Sequence, residues 1–233
     1  MRIQKYLSER KILSRREAED YIRKGLIALN GKVVTEMGVQ IDPTKDRIEI
    51  LKGAAKESAK KMTVVIYKPR DIVSSKESSE GETVFEFFTQ FQNLNVVGRL
   101  DKSSEGLLLL SNDGVVTSSV TGSDHLIEKE YEVSVRETVN NNKANKMEQG
   151  IQLEDGLTLP AKVTIITPNK FRIILKEGRK HQIRRMADAV HLTITGLKRL
   201  RVGNISLGKL KPGESRVLLS KEVDELKNLA RPK

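Results

Sequence analysis

The stretch Val96–Gly114, VVGRLDKSSEGLLLLSNDG, decides how this chain is read. Val96 and Val97 end a short buried strand, Gly98 permits a sharp turn, and Leu107 to Leu110 form a continuous apolar run suited to a strand covered on both faces. Asn112, Asp113 and Gly114 read as a tight turn that closes it. Asp101 then lies on a polar loop between two buried strands, with Arg99 two residues before it and a Ser-Ser-Glu-Gly turn after it. Rigid strands that present a polar loop are a common catalytic layout. A plainer role also fits, because an Asp followed by Lys-Ser-Ser often hydrogen-bonds its own backbone as a turn former. Spacing by itself favours that plainer role.

Downstream, Tyr131, Val133 and Val135 alternate with Glu130, Glu132 and Ser134, the pattern of a half-buried strand in which Tyr131 could be a core aromatic. Residues 138–149 read as a helix. GIQLEDGLTLPAKVTIITPNKFRIILKEG is a run of short strands with turns at Asp155-Gly156 and Pro168-Asn169, the signature of antiparallel pairing. In EGRKHQIRRMADAV, Ile183, Met186, Ala187 and Val190 share a helical face, which leaves Arg184 and Arg185 pointing elsewhere. Between Lys176 and Arg201 there are 8 Lys or Arg and 2 acids, a cluster that normally means a solvated face.

Upstream, Thr63 to Tyr67 read as a strand stopped by Pro69, and residues 74–82 as a polar, mobile loop. Thr83 and Glu86 make a capping box, and Val84, Phe87, Phe88 and Phe91 follow at core-facing helical spacing. LKGAAKESAKKM, residues 51–62, has almost no bulky apolar side chain and reads as a linker about which its neighbours reorient. Residues 1–50 read as two helices and a hairpin. Ser14 and Glu17 cap the second helix, Ala18, Tyr21 and Ile22 share its face, and Asn30-Gly31 is a type I′ turn signal. The fold class is therefore α+β: a small module at 1–50, a linker at 51–62, and a larger domain at 63–233 on a mainly antiparallel sheet with flanking helices.

Composition narrows the partners. Lys and Arg number 42 against 31 Asp and Glu, a formal charge of +11, which favours a polyanion such as nucleic acid, although a merely soluble basic protein can carry it too. Residues 1–62 hold 15 basic and 9 acidic residues, so they supply more than half of that excess. Arg15, Arg16, Arg23 and Lys24, on or beside the second helix, would make a phosphate-facing patch, with an Arg15–Glu19 pair on a solvated face as the alternative. The absence of Cys excludes disulfides and thiolate sites, and His125, His181 and His191 are too scattered to suggest a metal. No apolar run approaches membrane-spanning length, and the start is too charged for a signal peptide. A cytoplasmic monomer is expected, with no membrane partner. Aromatics at 4% and no Trp leave little for a stacking groove that takes any single strand.

GRLD followed by SEGLLLLSNDG closely resembles the catalytic motif of the RsuA family of pseudouridine synthases. SRREAEDYIRKGLIALNGKVV resembles the S4 RNA-binding domain, with Leu29 where that family usually has Val. GRKHQIR, the K-x-Y-x-V strand at 129–133, Lys68-Pro69 and the closing segment 197–226 match further family signatures, although Tyr67 replaces the usual Asn. The resemblance implies an isomerase that converts a uridine of structured RNA to pseudouridine. Asp101 would be its nucleophile, Tyr131 its active-site tyrosine, which stacks and accepts the C2′ proton, and Arg184 the arginine paired with Asp101. Ile183 would wall the pocket, Arg99 would fill the place vacated by the extruded base, and Lys68, Arg179, His181 and Gln182 would contact or shape the RNA site. Arg99 could instead form a salt bridge with Glu105.

The chemistry fits these residue types. Exchanging an N1–C1′ bond for a C5–C1′ bond is redox-neutral, so no cofactor and no metal is expected. A guanidinium beside a carboxylate favours its charged, nucleophilic form. Members that carry an S4 module usually modify ribosomal RNA, and the stretch around His125 looks most like the branch acting on the large subunit. 16S rRNA or a tRNA are alternative substrates. Two rival readings remain, a non-catalytic RNA-binding or ribosome-assembly factor and a hydrolase with paired carboxylates.

Overall fold

The computed structural model describes residues 1–51, 61–122 and 126–229. In the first of these, α1 (Ile3–Glu9) and α2 (Arg15–Arg23) precede β1 (Ile27–Leu29), β2 (Lys32–Val34) and β3 (Ile48–Ile50). Ser14 caps α2 reciprocally: its hydroxyl accepts from the Glu17 amide at 3.2 Å, and its own amide donates to the Glu17 carboxylate at 2.7 Å. Ala18, Tyr21 and Ile22 then face Ile3, Leu7 and Ile27 in one apolar core. Asn30 (φ 50) and Gly31 (φ 79) make the expected turn between β1 and β2, and β3 adds to the free edge of β1.

The larger part runs through β4 (Thr63–Lys68), α3 (Val84–Phe87), β5 (Asn95–Val97), β6 (Glu105–Ser111), α4 (Gly114–Thr121), β7 (Lys129–Val135) and α5 (Asn141–Gln149). It continues with β8 (Gln152–Leu153), β9 (Gly156–Leu157), β10 (Lys162–Thr167), β11 (Lys170–Leu175) and α6 (Gln182–Ala189). β12 (Ile194–Val202), β13 (Ile205–Ser206), β14 (Ser215–Val217) and α7 (Ser220–Leu229) complete it. One sheet has the order β10-β11-β7-β12-β6-β4-β14, with β13 beside β12 and β5 beside β6. Its described pairings are antiparallel except β12 with β6. The four consecutive leucines of β6 are uniform because both faces are covered. Leu107 and Leu109 enter a core with Val65, Val116 and Val120, whereas Leu108 and Leu110 enter another with Ile66, Phe85 and Phe88.

Two expectations are corrected. Asn112, Asp113 and Gly114 do not close a hairpin, because Asp113 opens α4 by accepting from the Val115 amide at 2.9 Å. The β-branched sequence of α4 hid this helix, which forms because Val115, Val116 and Val120 are buried against the sheet. In the Phe-rich segment α3 lasts one turn and breaks at Phe88 (φ −111, ψ 66). Phe85 and Phe88 are buried while Phe87 is 42% exposed, so the core face is not the one that unbroken helical spacing gives.

The small module sits against the start of α4. Lys61 joins Glu17 of α2 at 2.9 Å to Asp113 at 3.2 Å, and Lys227 of α7 reaches Asp113 at 2.6 Å. Burial works to raise the Asp113 carboxyl, but the Lys227 hydrogen bond and the Lys61 charge outweigh it and hold it below the usual carboxylate range. Most of the expected linker lies outside the described residues, as does His125.

Where β6 passes β12 in parallel, Gly106 has φ 103, and a Cβ there would stand 2.4 Å from the Arg199 carbonyl oxygen. Gly106→Ala is therefore expected to cost about 2–4 kcal/mol by the combined strain and clash. Urea denaturation reads this directly; a loss below about 0.5 kcal/mol would show that the two strands separate easily.

Candidate active site

The loop from Gly98 to Ser104 is fixed from below by four residues of two other segments, β12 and the stretch 68–74. Gly98 (φ 71) turns the chain out of β5. Arg199 of β12, 2% exposed, donates from Nε to the Leu107 carbonyl at 2.7 Å and from Nη2 to the Gly98 carbonyl at 2.8 Å. Its Nη1 reaches the Arg99 carbonyl at 3.5 Å. The Ser74 hydroxyl donates to the Leu100 carbonyl at 2.7 Å and accepts from its amide at 3.3 Å, so the polar loop 74–82 is tied down at its start. The Asp71 amide donates to the Lys102 carbonyl at 2.8 Å. Lys68 Nζ, wholly buried at the end of β4, donates to the carbonyls of Pro69 (2.7 Å), Ile72 (2.8 Å) and Lys102 (3.4 Å). Burial pushes the Lys68 ammonium down to about 8, against the attraction of Asp71, Asp101 and Glu105.

Above this base lies a cleft of about 1230 Å³ whose lining includes Asp101, Tyr131, Ile183, Arg184, Arg99 and His181. Residues far apart in the chain thus meet at one opening. Asp101 is 38% exposed at its side chain, with His181 Nε2 3.5 Å from its Oδ1. His181 precedes α6 in the left-handed region (φ 53). Tyr131 is half-buried on β7, packed against two apolar cores. Ile183 is buried on α6 and lines the same opening. Arg184 reaches the expected loop but takes different partners there. Its Nη2 donates to the Ser103 hydroxyl at 2.8 Å and to that of Ser104 at 3.3 Å, and among the described residues it makes no ion pair with Asp101.

Of the residues expected to contact the RNA or to shape its site, three have shaping contacts here. Lys68 is wholly enclosed at the end of β4, where it pairs with Gly106 of β6 and its ammonium turns onto the carbonyls of Pro69 and Ile72. Gln182 is 4% exposed and staples its own loop, accepting from the Arg179 amide at 3.1 Å and donating to Glu177 at 2.6 Å. Arg179 clamps the β8–β9 hairpin, donating to the carbonyls of Gly156 at 2.9 Å and Leu157 at 2.6 Å and to Glu177 at 3.1 Å. Arg15, Arg16 and Arg23 are exposed on α2, and Lys24 beside them is paired with Asp20 at 2.9 Å. Arg99 is exposed at the cleft; Glu105, its alternative partner, is held by the Tyr67 hydroxyl at 2.8 Å and Arg70 at 3.2 Å. Sequence reading missed Arg199, which sat inside a basic run. Its place two residues from buried Leu197 on a strand was the available signal. Among the described residues no cluster of His, Asp or Glu could hold a metal.

Known proteins share this arrangement. The RNA pseudouridylate synthase family matches residues 62–189, and the S4 domain family matches residues 1–48. Ribosomal large subunit pseudouridine synthase B of Bacillus subtilis is 35% identical over 237 aligned residues, covering 98% of this chain and 96% of its own. The dual-specificity RNA pseudouridine synthase RluF of Escherichia coli K12 is 35% identical over 97% of this chain and 78% of its own. A crystal structure of a pseudouridylate synthase, 30% identical, matches with a TM-score of 0.71 over 97% of this chain and 99% of that one. An S4 module joined to a catalytic sheet of this kind defines an RNA-modifying isomerase. The chain belongs to the RNA pseudouridylate synthase family, and the RsuA-type resemblance of its motifs is borne out.

Lys68 gives a pH test. Its pKa when folded lies below its ordinary value, so between about 8 and that value the unfolded chain binds the extra proton. Folding stability from this group therefore rises with pH through that window. The melting temperature of the wild type relative to Lys68→Met should climb between pH 7.5 and 10; a flat difference would mean the ammonium is not strained by burial.

Proposed function

We propose that this chain converts a uridine of ribosomal RNA, in the large subunit, to pseudouridine, with Asp101 as nucleophile. The observation that carries the reading is the pinned loop that presents the Asp101 carboxylate to a cleft shared with Tyr131, Ile183 and Arg184. Names of relatives that act on the large subunit support the substrate class.

The target base leaves its stack, at a cost of a few kcal/mol at a stable pair, and Arg99 at the cleft mouth takes its place. Asp101 acts on the ribose as the N1–C1′ bond breaks. Tyr131 and Ile183 hold the detached uracil while it turns; Tyr131 takes the C2′ proton and returns it to C2′ as C1′ is rejoined to C5, and the proton displaced from C5 ends on N1. Ser103, which Arg184 of α6 holds, lies two residues along the loop from the nucleophile, so a shift from the Ser103 and Ser104 hydroxyls would bring the guanidinium charge onto the carboxylate. Such a pairing favours the ionised form. Arg15, Arg16 and Arg23 grip phosphates at the S4 module. A cysteine-free sequence suits the reducing cytoplasm.

Asp101→Asn should abolish pseudouridine formation, read by carbodiimide mapping of 16S and 23S rRNA and tRNA, and leave RNA affinity within about twofold. Retained modification by this variant would end the proposed mechanism. A mapped site in 16S rRNA or tRNA would move the substrate and leave the chemistry, and free uracil would identify a hydrolase.

A further inference from the structure

Lys129 opens β7 two residues before Tyr131, so both side chains leave the strand on the same face, about 6.6 Å apart along it. Both line the cleft. Gly98, Arg99 and Val120 to Gly122 line the same cleft. Lys129 is half-buried, and its hydrogen-bond partner is the Ile127 carbonyl at 3.3 Å. Among the described residues it makes no ion pair, in contrast with Glu130 and Glu132 on the opposite face, which are taken by Arg201 and Lys170. Nearby is a second buried cation, Arg199, whose guanidinium is committed to carbonyl oxygens. The protein therefore keeps two positive groups in one partly desolvated cleft with carbonyls for partners. Burial and the Arg199 charge both push the Lys129 ammonium down, which an anion beside it would reverse. Leaving a cation half-desolvated and unpaired is unfavourable unless a ligand completes it.

We propose that Lys129 is a binding residue for an RNA phosphodiester, the one flanking the nucleotide whose base rests on Tyr131. This rests on the reading of the cleft as the seat of the extruded uridine. A base on Tyr131 and a phosphate on Lys129 are separated by a span that one nucleotide covers. The contact is a charge-assisted hydrogen bond, and the cleft walls that exclude water strengthen it. Arg199 lends charge from behind without giving up its carbonyls. Lys129 thereby fixes the sugar between two points, the ring and the phosphate, and sets the ribose over Asp101.

The test uses the full chain in an Asp101→Asn background, so that binding is read apart from chemistry, with a hairpin transcript carrying the mapped target uridine. Lys129→Gln should weaken binding on the order of tenfold and reduce the slope of log affinity against log salt by roughly 0.7–0.9. Lys129→Arg should restore most of the slope. A methylphosphonate replacing one phosphate flanking the uridine should weaken the Lys129-containing enzyme by a similar factor and add nothing to Lys129→Gln. Additive penalties, or a slope unchanged in Lys129→Gln, would overturn the proposal. Should Lys129→Gln not fold, the parent enzyme carries the test, and neutral linkages on both sides of the uridine with no loss of affinity would overturn it equally. Activity lost in Asp101→Asn with additive penalties at Lys129 would leave the proposed function standing and remove this contact alone.

Discussion

Two cations that make no ion pair among the described residues, Lys68 and Arg199, hold the shape of the loop that carries Asp101. Between them they donate to the carbonyls of Pro69, Ile72, Gly98, Arg99, Lys102 and Leu107. Hydrogen bonds from a charged donor contribute about 1.5–3 kcal/mol each. Burying each ion costs several kcal/mol. The hydrogen bonds offset that burial, and their result is geometric: carbonyls that would otherwise point in several directions converge on fixed points. A carbonyl turned inward turns the next amide and side chain outward, and this presents Asp101 at the cleft.

That geometry depends on the sheet. Lys68 ends β4 and Arg199 lies in β12, strands on opposite sides of β6, and β6 follows directly on the Asp101 loop. The one parallel pairing in the described sheet, β6 with β12, lets Gly106 approach the Arg199 backbone so closely that no side chain fits. The antiparallel strands beyond β12 then deliver Tyr131 from β7 and, after β11, the α6 residues Ile183 and Arg184. A hairpin meander without the parallel junction would bring these segments to different edges.

Much of this was legible in sequence because local rules and global packing agreed. The β6 leucine run, the Ser14 and Thr83 capping boxes, the Asn30-Gly31 turn and the apolar face of α6 each state their structure within a few residues. Where a residue's role is set by something distant, the reading failed. Arg199 looks like one more surface arginine until β6 and Gly98 are beside it, and Arg179 and Gln182 look like RNA contacts until the β8–β9 hairpin and Glu177 consume their hydrogen bonds. α4 was missed for another reason, since its valines favour strand locally and only burial of one face against the sheet overrides that. The site residues Asp101, Tyr131, Ile183 and Arg184 came from motif resemblance, and the cleft gathers all four.

The difference between the expected Arg184–Asp101 pair and the observed Arg184–Ser103–Ser104 contact follows from what each partner offers. A carboxylate that is 38% exposed keeps much of its hydration, so stripping it to meet a guanidinium gains little, as for surface ion pairs generally. Two hydroxyls on a pinned turn present fixed acceptors at 2.8 and 3.3 Å and require no such desolvation. Under the proposed function the balance would reverse once RNA fills the cleft and removes that water, because the same charge pair would then interact through a lower dielectric. His181, in the left-handed region before α6, lies 3.5 Å from the same carboxylate. On that reading the carboxylate proposed as nucleophile is completed by the substrate that it attacks.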